Sequence, residues 1–219
     1  MLSNFYANQK YFIEIQNSLF YSKISTKSLP SNVYFIPTPD EHSDLLKKIV
    51  AQAENIVFIG CCKTGLFSYL ASIIGLEIKA KIIGYNEIPF FSQFPKLEFS
   101  LYPNTEPSIV ENLFNELEIE GFFVEDSPGF VAPRVISMIV NEAAFMVNEQ
   151  IADFNSIDIG MKLGTNYPMG PSEWLEKIGI DYIYNILLNL HHRIPTGRYK
   201  ISPYLQKLYH LSKIQSSVK

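Results

Sequence analysis

The feature that most narrows the fold is a change of texture at Ser127-Pro128-Gly129. Before it, short apolar runs alternate with helix-spaced segments; after it, only helical periodicity is found. Val33-Tyr34-Phe35-Ile36 reads as a strand, and Thr38-Pro39-Asp40-Glu41 supplies a capping hydroxyl, a proline for the first turn and an acid three residues on. The helix so opened runs through Leu45, Leu46, Ile49, Val50 and Ala53 to a second strand, Ile56-Val57-Phe58-Ile59-Gly60. A second helix, through Leu66, Tyr69, Leu70, Ile73 and Ile74, leads to a strand over 80–84. Successive β-α-β units predict a parallel sheet. Leu97-Glu98-Phe99-Ser100-Leu101 alternates as a further strand, Thr105-Glu106-Pro107-Ser108 opens a helix, and Phe122-Phe123-Val124 closes the α/β region. Residues 1–30 offer one alternating run, at 11–15, in otherwise irregular chain.

Beyond the change, a long and nearly all-round apolar helix starts at Val131 and should be buried on most sides. Asn155 with Asp158 suggests the start of a helix that ends at Gly164, and Tyr167-Pro168-Met169-Gly170-Pro171 reads as a rigid corner. Helices over 172–178, 181–190 and 203–211 complete the chain. The expected class is therefore α/β plus all-α, with a sheet domain over 1–126 and a helical domain over 127–219.

Composition excludes several functions. With 22 acidic against 18 basic side chains, no basic cluster offsets the net charge of −4, so a nucleic-acid partner is not expected. No apolar run approaches the roughly 20 residues that span a bilayer, and the polar start lacks a signal-peptide layout, so the expectation is a cytoplasmic chain without a membrane partner. The two cysteines, Cys61 and Cys62, are adjacent, which suits neither a disulfide framework nor a metal site; no metal is expected. At the end of an apolar strand they read as small core residues. Aromatics reach 14%, enough to suggest a buried interface or a ligand cleft. Trp174, the sole tryptophan, reads with Met138 and Phe145 as core or dimer seam.

Three ordered blocks carry a resemblance. They are Asp126-Ser127-Pro128-Gly129-Phe130-Val131-Ala132-Pro133-Arg134 with Asn141-Glu142-Ala143; Asp158-Ile159-Gly160-Met161-Lys162-Leu163-Gly164 with the corner at 167–171 and Gly179-Ile180-Asp181; and Arg198-Tyr199 with Pro203-Tyr204-Leu205. Together they resemble the C-terminal domain of 3-hydroxyacyl-CoA dehydrogenases. The resemblance implies a Rossmann-like nucleotide domain, here truncated, followed by a helical domain through which subunits pair as homodimers. It also implies the oxidoreductase chemistry of fatty acid metabolism: NAD-dependent oxidation of a 3-hydroxyacyl-CoA to the 3-keto form.

Set against that family's pattern, the chemistry is incomplete. The dinucleotide fingerprint G-x-G-x-x-G is absent, and residues 33–126 match only the second half of a nucleotide domain. The first, NAD-carrying β-α-β is expected to be lost or shrunk into residues 1–30. The family's general base is a histidine steered by a glutamate twelve residues on; those positions fall on Asn86 and Glu98, and an amide takes no proton at neutral pH. A family serine falls at or beside Thr64 and a family asparagine on Pro133. Two readings follow. One is a compact dehydrogenase that binds NAD by another loop and uses Glu98, with Thr64, in place of the dyad. The other is a pseudoenzyme that retains an acyl-CoA site or a dimer surface. From the residues alone, Glu98 also reads as a solvated strand carboxylate and Asn86 as a strand-end residue.

Overall fold

The computed structural model describes residues 4–6, 18–25, 30–73 and 78–217, which divide into two compact units, Met1–Phe130 and Val131–Lys219. The expected strand at 11–15 lies outside the described residues. In the first unit a five-stranded sheet runs in the order β1 (Val33–Ile36), β2 (Ile56–Gly60), β3 (Lys81–Tyr85), β4 (Lys96–Leu101), β5 (Glu120–Phe123). β1, β2 and β3 pair in parallel, with Phe35 beside Phe58 and Gly60 beside Tyr85. The link between β3 and β4, residues 86–95, holds only a short 3-10 turn, less than the dozen or so residues that a parallel crossover needs. β4 accordingly runs antiparallel to β3, an exception to the all-parallel expectation, and β5 returns parallel to β4.

Strand alternation gives the sheet two different faces. On one, Phe35 stacks on Phe58 at 4.4 Å between ring centroids, and Phe99 packs on Phe114 at 4.5 Å. This cluster is closed by α1 (Leu19–Ser25), through Phe20 and Ile24, and by α4 (Pro107–Leu117), through Val110, Leu113, Phe114 and Leu117. Much of the aromatic excess is thus sheet core. α1 was not expected from the sequence, although Ser18 caps it by accepting the Tyr21 N–H at 3.1 Å and Phe20 and Ile24 have helical spacing. The other face carries Ile59, Ile82, Gly84 and Ser100, and α3 (Leu66–Ile73) lies over it: a methyl group on Gly84 would meet Leu66, Cys61 and Ser100. α2 (Ser43–Val50) adds buried Leu46, Ile49 and Val50; it stops before Ala53, which is exposed, and the Thr38 hydroxyl does not cap the 3-10 turn it precedes. Thr105 does not cap α4 either; its hydroxyl accepts the Ile82 N–H at 2.8 Å.

The second unit contains α5 (Ala132–Asn148), α6 (Phe154–Thr165), α7 (Pro171–Ile178), α8 (Ile180–Arg193) and α9 (Pro203–Ser217). α5 packs on the other four through Ser137, Val140, Asn141, Ala143 and Ala144. Its opposite side is less buried than its composition suggested: Val131 and Val135 are 49% and 54% exposed and four residues apart, and exposed Glu142 lies about two turns beyond Val135. α6 is capped by Asp153, which accepts the Ser156 N–H at 2.7 Å, and it ends at Thr165 with Asn166 left-handed, so neither Asn155 nor Gly164 marks its ends.

Candidate functional site

In open α/β sheets, ligands bind outside the carboxyl ends of the parallel strands, and that edge of the first unit is where the sequence candidates lie. β2 ends at Gly60, where a side chain would collide with the Pro37 carbonyl and with Cβ and Cγ of Glu87. The chain then turns sharply: the amides of Thr64 and Gly65 both donate to the Cys61 carbonyl, at 3.2 and 2.8 Å, and Gly65 adopts φ +81°, where a side chain is strained. α3 opens immediately after. Its first two amides, of Leu66 and Phe67, donate to the two carboxylate oxygens of Asp126 at 2.5 and 3.0 Å, so a side chain of this chain already satisfies the helix N-terminus. The Gly129 N–H donates to the Cys62 carbonyl at 2.7 Å, fastening the segment after β5 to the same turn.

Asn86 and Glu98 stand opposite each other on β3 and β4, where the Asn86 N–H donates to the Glu98 carbonyl at 3.1 Å. Both are buried, at 2% and 4% exposure, so Glu98 is not a solvated strand carboxylate. Asn86 sits just past the end of β3, and its Oδ1 accepts the Ile88 N–H at 3.2 Å. Thr64 belongs to the turn before α3 instead, where its hydroxyl donates to the Gly65 carbonyl at 3.2 Å. Pro133 falls in the first turn of α5, where a proline's missing N–H removes no helical bond.

Glu87 was not singled out from the sequence. It is 4% exposed, and its Oε2 accepts the buried Cys62 N–H at 2.9 Å. An acid inside an otherwise apolar stretch, 82–91, was the available signal. Burial and then the Glu87 carboxylate hold both thiols well above the ordinary 9.0; Asp126 adds to the effect on Cys61, and Glu98 to that on Cys62, which Lys63 opposes. Such thiols are protonated, packed groups rather than nucleophiles. Tyr69 on α3 is likewise raised, by burial and by the Asp40 carboxylate.

In the second unit, the residues of the three sequence blocks hold one another. Asp158 accepts the Ser172 N–H at 2.9 Å and its hydroxyl, capping α7, and any side chain at Gly170 would run into it. Lys162 pairs with Glu173 at 2.7 Å, and Tyr167 meets Trp174 edge-on at 5.3 Å. Asn141 receives the Ser202 N–H and donates to the Lys200 carbonyl, both at 2.9 Å, while Arg134 bonds the Tyr199 hydroxyl. The corner at 167–171 and Trp174 are architecture. No group of three His, Cys, Asp or Glu among the described residues could hold a metal, and no described helix is long and apolar enough to cross a membrane.

A family profile described as "3-hydroxyacyl-CoA dehydrogenase, C-terminal domain" matches residues 129–218. The probable 3-hydroxybutyryl-CoA dehydrogenase of Bacillus subtilis is 42% identical over 84 residues, 38% of this chain and 29% of that protein. A probable 3-hydroxyacyl-CoA dehydrogenase of Caenorhabditis elegans is 34% identical over 180 residues, 77% of this chain and 59% of that protein. The chain thus spans less than two thirds of either relative. The crystal structure of (S)-3-hydroxybutyryl-CoA dehydrogenase from Ralstonia eutropha superposes with a TM-score of 0.67 at 23% identity, over 83% of this chain and 66% of that one, a likeness of fold.

Proposed function

By its C-terminal domain the chain belongs to the 3-hydroxyacyl-CoA dehydrogenase family, and on that premise we propose that it binds an acyl-CoA-type ligand without performing the family's NAD-dependent oxidation. The observation that carries this reading is Asn86. It stands where the resemblance puts the base, it is buried, and its Oδ1 is committed to the Ile88 N–H. No rotation of that side chain yields a proton acceptor comparable to imidazole.

The residues present do not fit a dinucleotide. A diphosphate needs free backbone N–H groups at a helix N-terminus and glycines that let the backbone approach. The first glycine in the chain is Gly60. The amides that follow it are taken by carboxylates of the chain itself, Cys62 by Glu87 and Leu66 and Phe67 by Asp126. The 3-10 turn after β1 opens with Asp40 and Glu41, charges that repel phosphate. Pairing into homodimers through the helical unit belongs to the same reading; the exposed Val131, just before α5, and Val135 on it support it.

A turnover assay tests the proposal. The purified chain with NAD and 3-hydroxybutyryl-CoA is expected to produce no NADH at stoichiometric protein concentration. Steady NADH formation that Glu98→Gln abolishes would reinstate the compact-dehydrogenase reading.

A further inference from the structure

The net charge of −4 is unevenly placed along the chain. Every one of the 22 acidic residues lies at or before Asp181, while residues 182–219 carry six of the 18 basic ones. Of those six, Lys213 is neutralised by Asp181, at 2.6 Å. Arg198, Lys200 and Lys207 are exposed and form no ion pair among the described residues. Cations with no acid beside them raise the local potential and favour an anion placed among them.

The structure draws part of this charge to one point in the helical unit. Arg134, in the first turn of α5, bonds the hydroxyl of Tyr199, which is 2% exposed, and its guanidinium carbon lies 5.2 Å from the ring centre. That of Arg198 lies 5.7 Å from the same centre. A second, independent feature is in the backbone. Gly197 has φ +83° and open space beside it, and its carbonyl accepts the Lys200 N–H at 3.1 Å, closing a turn. The N–H groups of Gly197, Arg198 and Tyr199 make no hydrogen bond among the described residues. Consecutive unbonded amides in a turn are the donors from which anion-binding concavities are built. Guanidinium groups add paired donors that match phosphate oxygens.

We propose that the turn at 197–200, with Arg134, Arg198 and Lys200, binds the phosphate group of a small-molecule ligand. A tetrahedral phosphate dianion offers several oxygens to amides, guanidinium groups and an ammonium at once; a carboxylate offers two. The 3′-phosphate of CoA and free inorganic phosphate share this chemistry. The inference goes beyond the acyl-CoA reading and does not depend on it.

The test titrates inorganic phosphate into the full chain at constant ionic strength and follows the backbone amides by NMR. Saturable shifts are expected at Gly197, Arg198 and Tyr199. The double variant Arg198→Gln with Lys200→Gln should weaken the affinity by about 10-fold or more, and Lys213→Gln should leave it unchanged. The same titration with CoA and dephospho-CoA identifies the source. Tighter binding of CoA, lost in the double variant, would support the site and assign it to the nucleotide end of CoA. Phosphate binding with no preference for CoA would support it as a site for free phosphate. No saturable shift with either phosphate or CoA, or shifts undiminished in the double variant, would overturn the inference. Binding of 3-hydroxybutyryl-CoA that persisted in that case would leave the acyl-CoA reading standing.

Discussion

At the residue scale, the strand-end turn is held by carboxylates bonded to backbone amides. Asp126 satisfies two amides at the start of α3, so Asp126→Ala should cost about 1–2 kcal/mol, read as a lower denaturant midpoint at unchanged slope. An unchanged midpoint would show that the cap contributes nothing. Cys61 and Cys62 are both buried, with pKa values raised by burial and then by Glu87. They should resist alkylation in the folded chain at pH 8 and react once it is unfolded, as mass spectrometry would record. The same shifts fix a pH dependence. Above the ordinary thiol value of 9.0 the unfolded chain releases protons that the folded chain keeps, so stability, intact below pH 9, should fall as pH rises further. Replacing both cysteines with Ala should flatten that alkaline slope. The sequence displayed these residue types but not their burial. Glu98 alternates on its strand as a solvated residue would, yet it is buried. Glu87 was visible as an acid among apolar neighbours, yet its partner, the Cys62 amide, is 25 residues away.

At the element scale, strands and helices were legible where period and length agree, as in β1–α2–β2 and in α7 to α9. Three features were not. α1 is a short helix read as irregular chain, because in its 7 residues Phe20 and Ile24 form only one buried apolar pair at helical spacing. The antiparallel β4 is decided by connection length, which hydrophobic pattern does not encode. Asp158 read as the start of α6, whereas it sits inside that helix and reaches across to cap α7. Its role gives a paired prediction. Asp158→Ala should destabilise by roughly 1–3 kcal/mol, since it leaves the Ser172 N–H and hydroxyl at the start of α7 without their acceptor, and Gly170→Ala should destabilise through the collision with Asp158. Gly164→Ala lies within a helix with nothing within 4 Å, so it should instead stabilise by about 1 kcal/mol. Thermal melts of the three variants check the order; a destabilised Gly164→Ala would mean that this side of α6 is covered in solution.

At the scale of the whole molecule, the chain joins a Rossmann-like sheet unit to a helical unit that matches the family's C-terminal domain. Much of the fold and the family were readable because the helical blocks name each other through side-chain bonds, Asp158 with Ser172 and Asn141 with Ser202. The state of the site was less readable, since the sequence shows that G-x-G-x-x-G is absent but not which groups hold the amides after β2. Glu87 and Asp126 accept them. Homodimer formation predicts a sedimenting mass near twice the 25.0 kDa of the chain, reduced to a single chain by Val135→Glu; a monomeric mass for the unaltered protein would refute it. The most direct test of the central claim is a pair of calorimetric titrations of the full chain, one with NAD and one with 3-hydroxybutyryl-CoA. The account predicts heat of binding for the acyl-CoA and none for NAD, whereas saturable micromolar binding of NAD would contradict it.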